Sequence, residues 1–293
     1  MVKPPVGVVG ASSMLGAYAL DRLGRSGTEV IAFSRERRIP AAVTGVTWRM
    51  LGWPAEGSDP PQVIPHWLCL CAVWVLPEHF KMMKALGARR IVALSSTSRF
   101  TKTAMNASTD VHENALAQQL IQGERQLQAW CEANGIEWVI LRPTLIYDFV
   151  HDKNISHIAT FIRRYRFFPI LRGAIGRRQP VHAAEVAYAA CAALVLVGAA
   201  NKEYNISGGE TLTYRDMVER IFALLGFKPR FINIPIWGFR VAVFIAKLLP
   251  KYRHLSSAMA ERMAADLVFD NSNAMVDLGY APDKFPVHAL KAK

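Results

Sequence analysis

The feature that most constrains this chain lies in its first 25 residues. A short apolar run, Val6–Val9, enters the loop Gly10-Ala11-Ser12-Ser13-Met14-Leu15-Gly16, and an amphipathic segment follows at once. Strand, glycine turn and helix in that order commit the chain to a unit whose helix crosses back to a parallel neighbouring strand. The helix, expected over residues 14–23, carries Leu15, Ala19, Leu20 and Leu23 on one side, with Gly24 and Gly27 as stop signals. Gly10 permits the tight turn and Gly16 lets helix and strand approach. The amides of Ser12, Ser13, Met14 and Leu15 stand at the helix start, where unpaired N–H groups and the positive dipole end favour a diphosphate. Ser13 stands where such loops commonly carry a second glycine, which narrows the room for that diphosphate.

The alternation continues. Strands are expected at residues 30–33, 43–48, 67–70, 90–95 and 137–141, and a long helix at residues 114–133, entered and left through polar or glycine signals. Parallel strands joined by helices require right-handed crossovers, so the fold class is α/β: a Rossmann doubly wound parallel sheet with helices on both faces. After Pro143 the pattern loosens into helices at residues 156–166, 183–197 and 213–225 with a short strand at 203–206, which predicts a small C-terminal substrate lobe. Thr213 and Asp216 form a capping-box pair, and Gly226 ahead of Pro229 ends that helix. Residues 1–150 are read as the dinucleotide-binding core. Residues 151–293 are read as mainly the lobe, with a segment at about 180–206 returning to the core.

Charge narrows the ligand. The net charge of +12 implies acidic partners: a phosphorylated cofactor or substrate, an anionic membrane surface or nucleic acid. The basic residues are dispersed, with no zinc-finger spacing, RNP-like motif or basic tail, so nucleic acid is not expected. At the end of the second strand stand Ser34, Arg35, Glu36, Arg37 and Arg38. An acidic residue there would accept from ribose hydroxyls, whereas serine followed by arginine suits a 2′-phosphate; Ser34, Arg35 and Arg38 therefore predict NADP(H) in preference to NAD(H). Arg163, Arg164, Arg166, Arg172, Arg177 and Arg178 offer forks for a substrate diphosphate such as that of a nucleotide sugar. The apolar run 167–171 beside them also suits an isoprenoid or quinone-like substrate.

Cys69, Cys71, Cys131 and Cys191 form no C-x-x-C pair, so they read as free thiols, and no metal site is expected. Residues 236–249 form the longest apolar stretch, but Arg240 and Lys247 interrupt it and it falls short of the roughly 20 residues that span a bilayer. Residues 235–253 are read instead as an amphipathic segment for a lid, a peripheral membrane contact or a protein partner. No signal-peptide pattern precedes Val6, so a cytoplasmic protein is expected. The helix at 114–133, with Gln118, Gln119, Gln122 and Gln128, is too polar for a strong interface and predicts a monomer or weak dimer.

Further motifs follow in a fixed order: Ile91-Val92-Ala93-Leu94-Ser95-Ser96-Thr97, Leu141-Arg142-Pro143-Thr144-Leu145-Ile146-Tyr147, Gln179-Pro180-Val181-His182, a segment running from Tyr204 to Thr213 through Gly208 and Gly209, and Leu278-Gly279-Tyr280-Ala281-Pro282. With the Gly10–Gly16 loop, this series resembles the NAD-dependent epimerase/dehydratase family, among the extended and atypical members of the short-chain dehydrogenase/reductase superfamily, over nearly the whole chain. The resemblance implies that Ser95 and Ser96 line the nicotinamide side, that Pro143 and Thr144 flank the nicotinamide and its carboxamide, and that Cys71 and Ala72 lie beside the ribose and pyrophosphate. It gives Thr97 the role of orienting the reacting oxygen and puts Tyr147 and His182 at the same cleft.

One departure bears on chemistry. Active members of that family carry a Tyr-x-x-x-Lys pair on the helix after the fifth strand, where the lysine lowers the tyrosine pKa. Alignment on Gly123 and Glu124 puts Leu116 and Leu120 at those two places, and no tyrosine lies between Arg99 and Trp130. The catalytic candidates are then Thr97, Lys102 and Tyr147, with Arg178 and His182 on the substrate side. Two readings follow: an NADP(H)-dependent oxidoreductase or epimerase-like enzyme with a relocated acid/base, acting on an unidentified carbonyl or hydroxyl substrate, or a non-catalytic NADP(H)-binding assembly or regulatory protein.

Overall fold

The computed structural model describes residues 3–36, 45–52, 63–100, 111–172, 175–235, 237–238 and 263–287. Its centre is a seven-stranded sheet built from β1 (Val6–Val9), β2 (Val30–Ser34), β3 (Val46–Met50), β4 (His66–Cys69), β5 (Arg90–Leu94), β6 (Glu137–Pro143) and β11 (Lys202–Ile206). The strand order is β11-β6-β5-β4-β1-β2-β3, with every pair parallel. The order reverses between β1 and β4, and a crevice opens at such a switch point beyond the carboxyl ends of the strands. This is the doubly wound sheet that the strand and helix alternation predicts.

Both faces are covered, which is why these strands read as continuous apolar runs and not as alternating ones. Val6, Val8, Val30, Ala32, Leu68, Val92, Val139 and Leu141 point to one core, filled by α1 (Met14–Arg25) and α5 (Ala183–Val195). Val9, Ile31, Phe33, Trp67, Cys69, Ile91, Ala93 and Ile140 point to the other, filled by a 3-10 turn at Val73–His79, α2 (Phe80–Ala85) and α3 (Val111–Ala133). Gly123 is required in α3 because a Cβ there would sit 2.8 Å from the Trp74 amide. At the two positions where the resemblance calls for titratable side chains, Leu120 is buried in the second core and the half-buried Leu116 packs against it.

The lobe has its own core of Ile155, Ile162, Phe168, Leu212, Met217, Ile221, Phe222 and Phe285. It is formed by α4 (Ile155–Tyr165), α6 (Tyr214–Leu224) and small pairs among β7 (Ile146–Tyr147), β8 (Phe168–Leu171), β9 (Arg177–Arg178), β10 (Val181–His182), β12 (Leu212–Thr213) and β13 (Phe231–Ile234). A short helix, α7 (Ser272–Leu278), follows and packs its buried Ala274 and Leu278 into the first core. All four cysteines are free; Cys69 and Cys131 are buried and Cys71 and Cys191 half-buried. No described helix is long and apolar enough to cross a membrane.

Candidate functional site

The glycine loop has the geometry its sequence calls for. Gly10 has φ +79°, and a Cβ there would lie 2.8 Å from the Leu70 carbonyl carbon and the Cys71 amide; at Gly16 a Cβ would lie 2.2 Å from the Ala11 carbonyl oxygen. Only hydrogen fits at either place. Ser13 is the N-cap of α1: its hydroxyl accepts from the Gly16 amide at 3.1 Å. That explains the missing middle glycine, because the side chain is folded onto the helix end and its own proton remains available to a phosphate oxygen. Cys71 and Ala72 follow β4 on the other side of this turn, and burial pushes the Cys71 thiol up to about 11. Ser34 ends β2 buried, its hydroxyl accepting from the Glu36 amide at 3.2 Å, with Arg35 exposed beside it. A dinucleotide fits this cradle on the observation that both glycine positions are closed to any side chain. Arg38 lies outside the described residues.

A cavity of about 490 Å³ opens at the carboxyl edge of the sheet. Its lining brings Met14 of the glycine-loop helix together with Ser96, Thr97, Thr144, His151, Lys153 and Arg178. Thr97 is buried and its hydroxyl donates to the Pro143 carbonyl at 3.2 Å. Arg178 is buried at the wall, donating to the carbonyls of Arg177 and Ala265. A larger groove of about 690 Å³, lined by Lys3, Arg22 and His66 among others, lies by the amino ends of β1 and β4. It is at the wrong edge of a parallel sheet for the cofactor.

Sequence reasoning missed the most suggestive part of the cavity. Residues 148–156 form a tight loop in which the buried Asp148 carboxylate accepts from the amides of Val150, His151 and Asp152 and pairs with His151 Nδ1 at 2.8 Å. Burial by itself would raise the Asp148 pKa, but these hydrogen bonds hold it below the ordinary carboxylate value. An ionised carboxylate only accepts, so Nδ1 carries the hydrogen of this bond, on a ring whose side chain is 72% exposed at the cavity. Asp152 ties the loop down by accepting from the amides of Phe149, Asn154 and Ser156, and Phe149 takes φ +65°. Aspartate three residues before histidine is a weak signal in sequence. Only the turn makes it a dyad.

Three expected site residues are corrected. Tyr147 does not line the cavity: its ring is buried against Phe149, His182 and Phe285, and burial, with Glu185, Asp283 and Glu210 nearby, raises its pKa far from any acid/base range. His182 caps α5, its Nδ1 accepting from the Ala184 amide at 3.1 Å in a capping box completed by Glu185, and it does not line the cavity. Ser95 turns its hydroxyl away from the cavity onto Glu124. Glu124 is fully buried and takes every donor in reach, including a bidentate fork from Arg142 at 3.0 and 2.7 Å and a bond from Arg99. Arg142 also pairs with Glu203. Lys102 lies outside the described residues. Among those residues, no cluster of histidine, cysteine and carboxylate groups could hold a metal.

No protein-family model matches the chain. Among curated proteins it is 26% identical to the NADH dehydrogenase [ubiquinone] 1 alpha subcomplex subunit 9, mitochondrial, of Arabidopsis thaliana, over 53% of this chain and 41% of that one. It is also 26% identical to an uncharacterized protein of Sinorhizobium fredii, over 68% of this chain and 50% of that one. The chain therefore spans half or less of the length of these curated relatives. Among solved structures, a UDP-N-acetylglucosamine 4-epimerase from Bacillus cereus superposes with a TM-score of 0.69 at 15% identity, covering 97% of this chain and 92% of the other. A UDP-glucuronic acid 4-epimerase variant from Bacillus cereus, in complex with a UDP-sugar analogue and NAD, gives 0.67 at 15% identity over 95% and 94%. A short-chain dehydrogenase/reductase superfamily protein from Agrobacterium tumefaciens with bound NAD gives 0.63 at 15% identity over 97% and 93%. The chain shares the fold of these three structures.

Proposed function

We propose that this chain is an NADP(H)-dependent oxidoreductase or epimerase-like enzyme that acts on a carbon bearing a hydroxyl or carbonyl group. The observation that carries the reading is the cavity whose lining brings Thr97 and His151, the latter bonded to the buried Asp148, together with Met14 of the glycine-loop helix. When bound, the nicotinamide supplies the site for hydride exchange. Gly10, Ser12, Ser13, Met14, Leu15 and Gly16 hold the diphosphate. Ser34 and Arg35 hold the 2′-phosphate, which sets NADP(H) above NAD(H). Cys71, Ala72, Ser96, Pro143 and Thr144 border the rest of the cofactor.

The Thr97 proton is engaged with the Pro143 carbonyl, which fixes the Thr97 side chain at the cavity wall beside a substrate hydroxyl. His151 Nε2 then takes that hydroxyl's proton, and Asp148 stabilises the imidazolium through Nδ1. Arg178 and Lys153 favour a substrate carrying phosphate, as the UDP sugars of the solved neighbours do. A second reading, binding without turnover in a larger assembly, is favoured by the apolar Leu116 and Leu120 and by the curated relative's name as an NADH dehydrogenase subunit.

Calorimetric titration with NADPH and NADH, followed by turnover assays on UDP-N-acetylglucosamine and a quinone, tests both. NADPH binding with turnover that His151→Ala abolishes supports the enzyme. Binding without turnover in the parent chain supports the second reading, and absence of NADPH binding overturns both.

A further inference from the structure

We propose that the outer end of the lobe is a docking surface for a bilayer containing anionic lipid. Two stretches, residues 153–182 and 220–238, contain no aspartate or glutamate, although they hold Arg163, Arg164, Arg166, Arg172, Lys228 and Arg230. Among the described residues none of these six cations is in an ion pair with a carboxylate. Carboxylates reach only the border of this surface, where Glu219 pairs with Arg215 beside Phe231, Asp266 with Arg177 and Glu210 with Arg220; an excess of one sign this large indicates a partner of the other.

The tertiary structure brings the two stretches together. β13 pairs with β8 in parallel, Phe231 opposite Phe168 and Ile232 opposite Pro169, while the Arg166 guanidinium lies 3.7 Å from the centre of the Phe227 ring. α4 buries Ile155, Ala159 and Ile162 against the lobe and leaves Arg163, Arg164 and Tyr165 in solvent. Between the cations stand apolar side chains that water does not favour: Tyr165 at 49% exposure, Ile232 at 50% and Trp237 at 70%. Tyr165 is braced by Phe161 and Phe167, with ring centres 4.7 and 6.3 Å away. Exposed tyrosine and tryptophan among unpaired arginines and lysines match a lipid interface at every point. The rings enter the headgroup boundary and the cations meet its phosphates. A soluble phosphate would leave the apolar side chains wet. RNA would use the cations and rings but gains nothing from Ile232. The inference stands on this patch alone and is independent of the proposed chemistry.

The test is flotation of the whole protein with vesicles of phosphatidylcholine, with or without 30% phosphatidylglycerol, at about 0.1 M salt. The parent protein is expected to float with the anionic vesicles and not with the neutral ones. Reversing three charges, in Arg163→Glu/Arg164→Glu/Arg166→Glu, should weaken this at least about 100-fold, since each surface cation contributes roughly fivefold. Trp237→Ala should weaken it without changing the salt dependence. Fluorescence and circular dichroism identical to the parent establish that the variants fold. Failure of the parent to bind anionic vesicles, or equal binding by the triple variant, overturns the proposal. So does binding to polyuridylate in preference to the anionic vesicles, which would make the patch a nucleic-acid surface.

Discussion

Single residues in this protein are asked to do things their neighbours in sequence do not reveal. Glu124 shows it best: a carboxylate with no exposure is tolerable only because Arg142, Arg99 and Ser95 surround it. Removing one partner of such a group is far worse than never having buried it, so Glu124→Gln should cost about 3–5 kcal/mol, read by urea unfolding. Glu203, whose carboxyl the hydrogen bond from Arg142 holds below its usual value, extends the network toward solvent. A depressed carboxyl contributes stability that is complete above its ordinary pKa and lost as pH falls through the lowered one. The contribution of this carboxyl should accordingly be lost below about pH 4. Glu203→Gln should flatten that acid limb, and an unchanged limb would remove Glu203 from the account. At Gly16 the argument is steric: Gly16→Ala puts a methyl 2.2 Å from a backbone oxygen that cannot move without breaking the turn. It should destabilise by at least 1–3 kcal/mol and weaken NADPH binding together, as measured by unfolding and calorimetry. Arg35→Ala, in contrast, should leave stability alone and weaken NADPH by about 1–3 kcal/mol while sparing NADH.

Among the elements, the loop between β7 and α4 is the part that pattern reading could not reach. The helix was expected from residue 156 and begins at Ile155, yet its N-cap, Asn154, makes no side-chain cap. Asp152 supplies the cap from two residues upstream, through the amides of Asn154 and Ser156, and also pins the start of the loop through Phe149. Asp152→Ala should speed amide exchange across residues 148–156 and cost about 0.5–2 kcal/mol, the range of a lost cap. It should also lower turnover more than cofactor affinity, because it frees His151 without touching the glycine loop. The strands of the central sheet and the long helices were legible to within a few residues for a plain reason, whereas α2, β8, β13 and α7 were not expected. A strand buried on both faces must be apolar throughout, and a helix covering a sheet must show its stripe. The roles of Tyr147 and His182 were not legible, since a tyrosine ending one short strand and a histidine ending another look alike whether they face a cleft or a core. Their rings meet each other at 5.2 Å inside the lobe.

For the molecule as a whole, the sheet and the lobe define one cleft, and a ligand that bridges the glycine loop and the lobe stabilises both. NADPH at 100 times its Kd should add about 2.7 kcal/mol, raising the melting temperature more than NADH at the same concentration. A shift of equal size with both cofactors would remove the phosphate preference. The sequence by itself determined the α/β class, the parallel sheet and the tight glycine turn into α1, because each rests on local chemistry: glycine's freedom, apolar periodicity and helix termini. It also put Leu116 and Leu120, which cannot titrate, at the two places on the long helix where the resemblance calls for a tyrosine and a lysine. Only the tertiary structure decided which titratable groups share the cavity. It buried Tyr147, turned Ser95 inward to Glu124, spent His182 on a helix cap and placed His151 with Asp148 at the opening. Those outcomes depend on the direction a side chain takes when distant elements pack, and neither periodicity nor composition encodes direction.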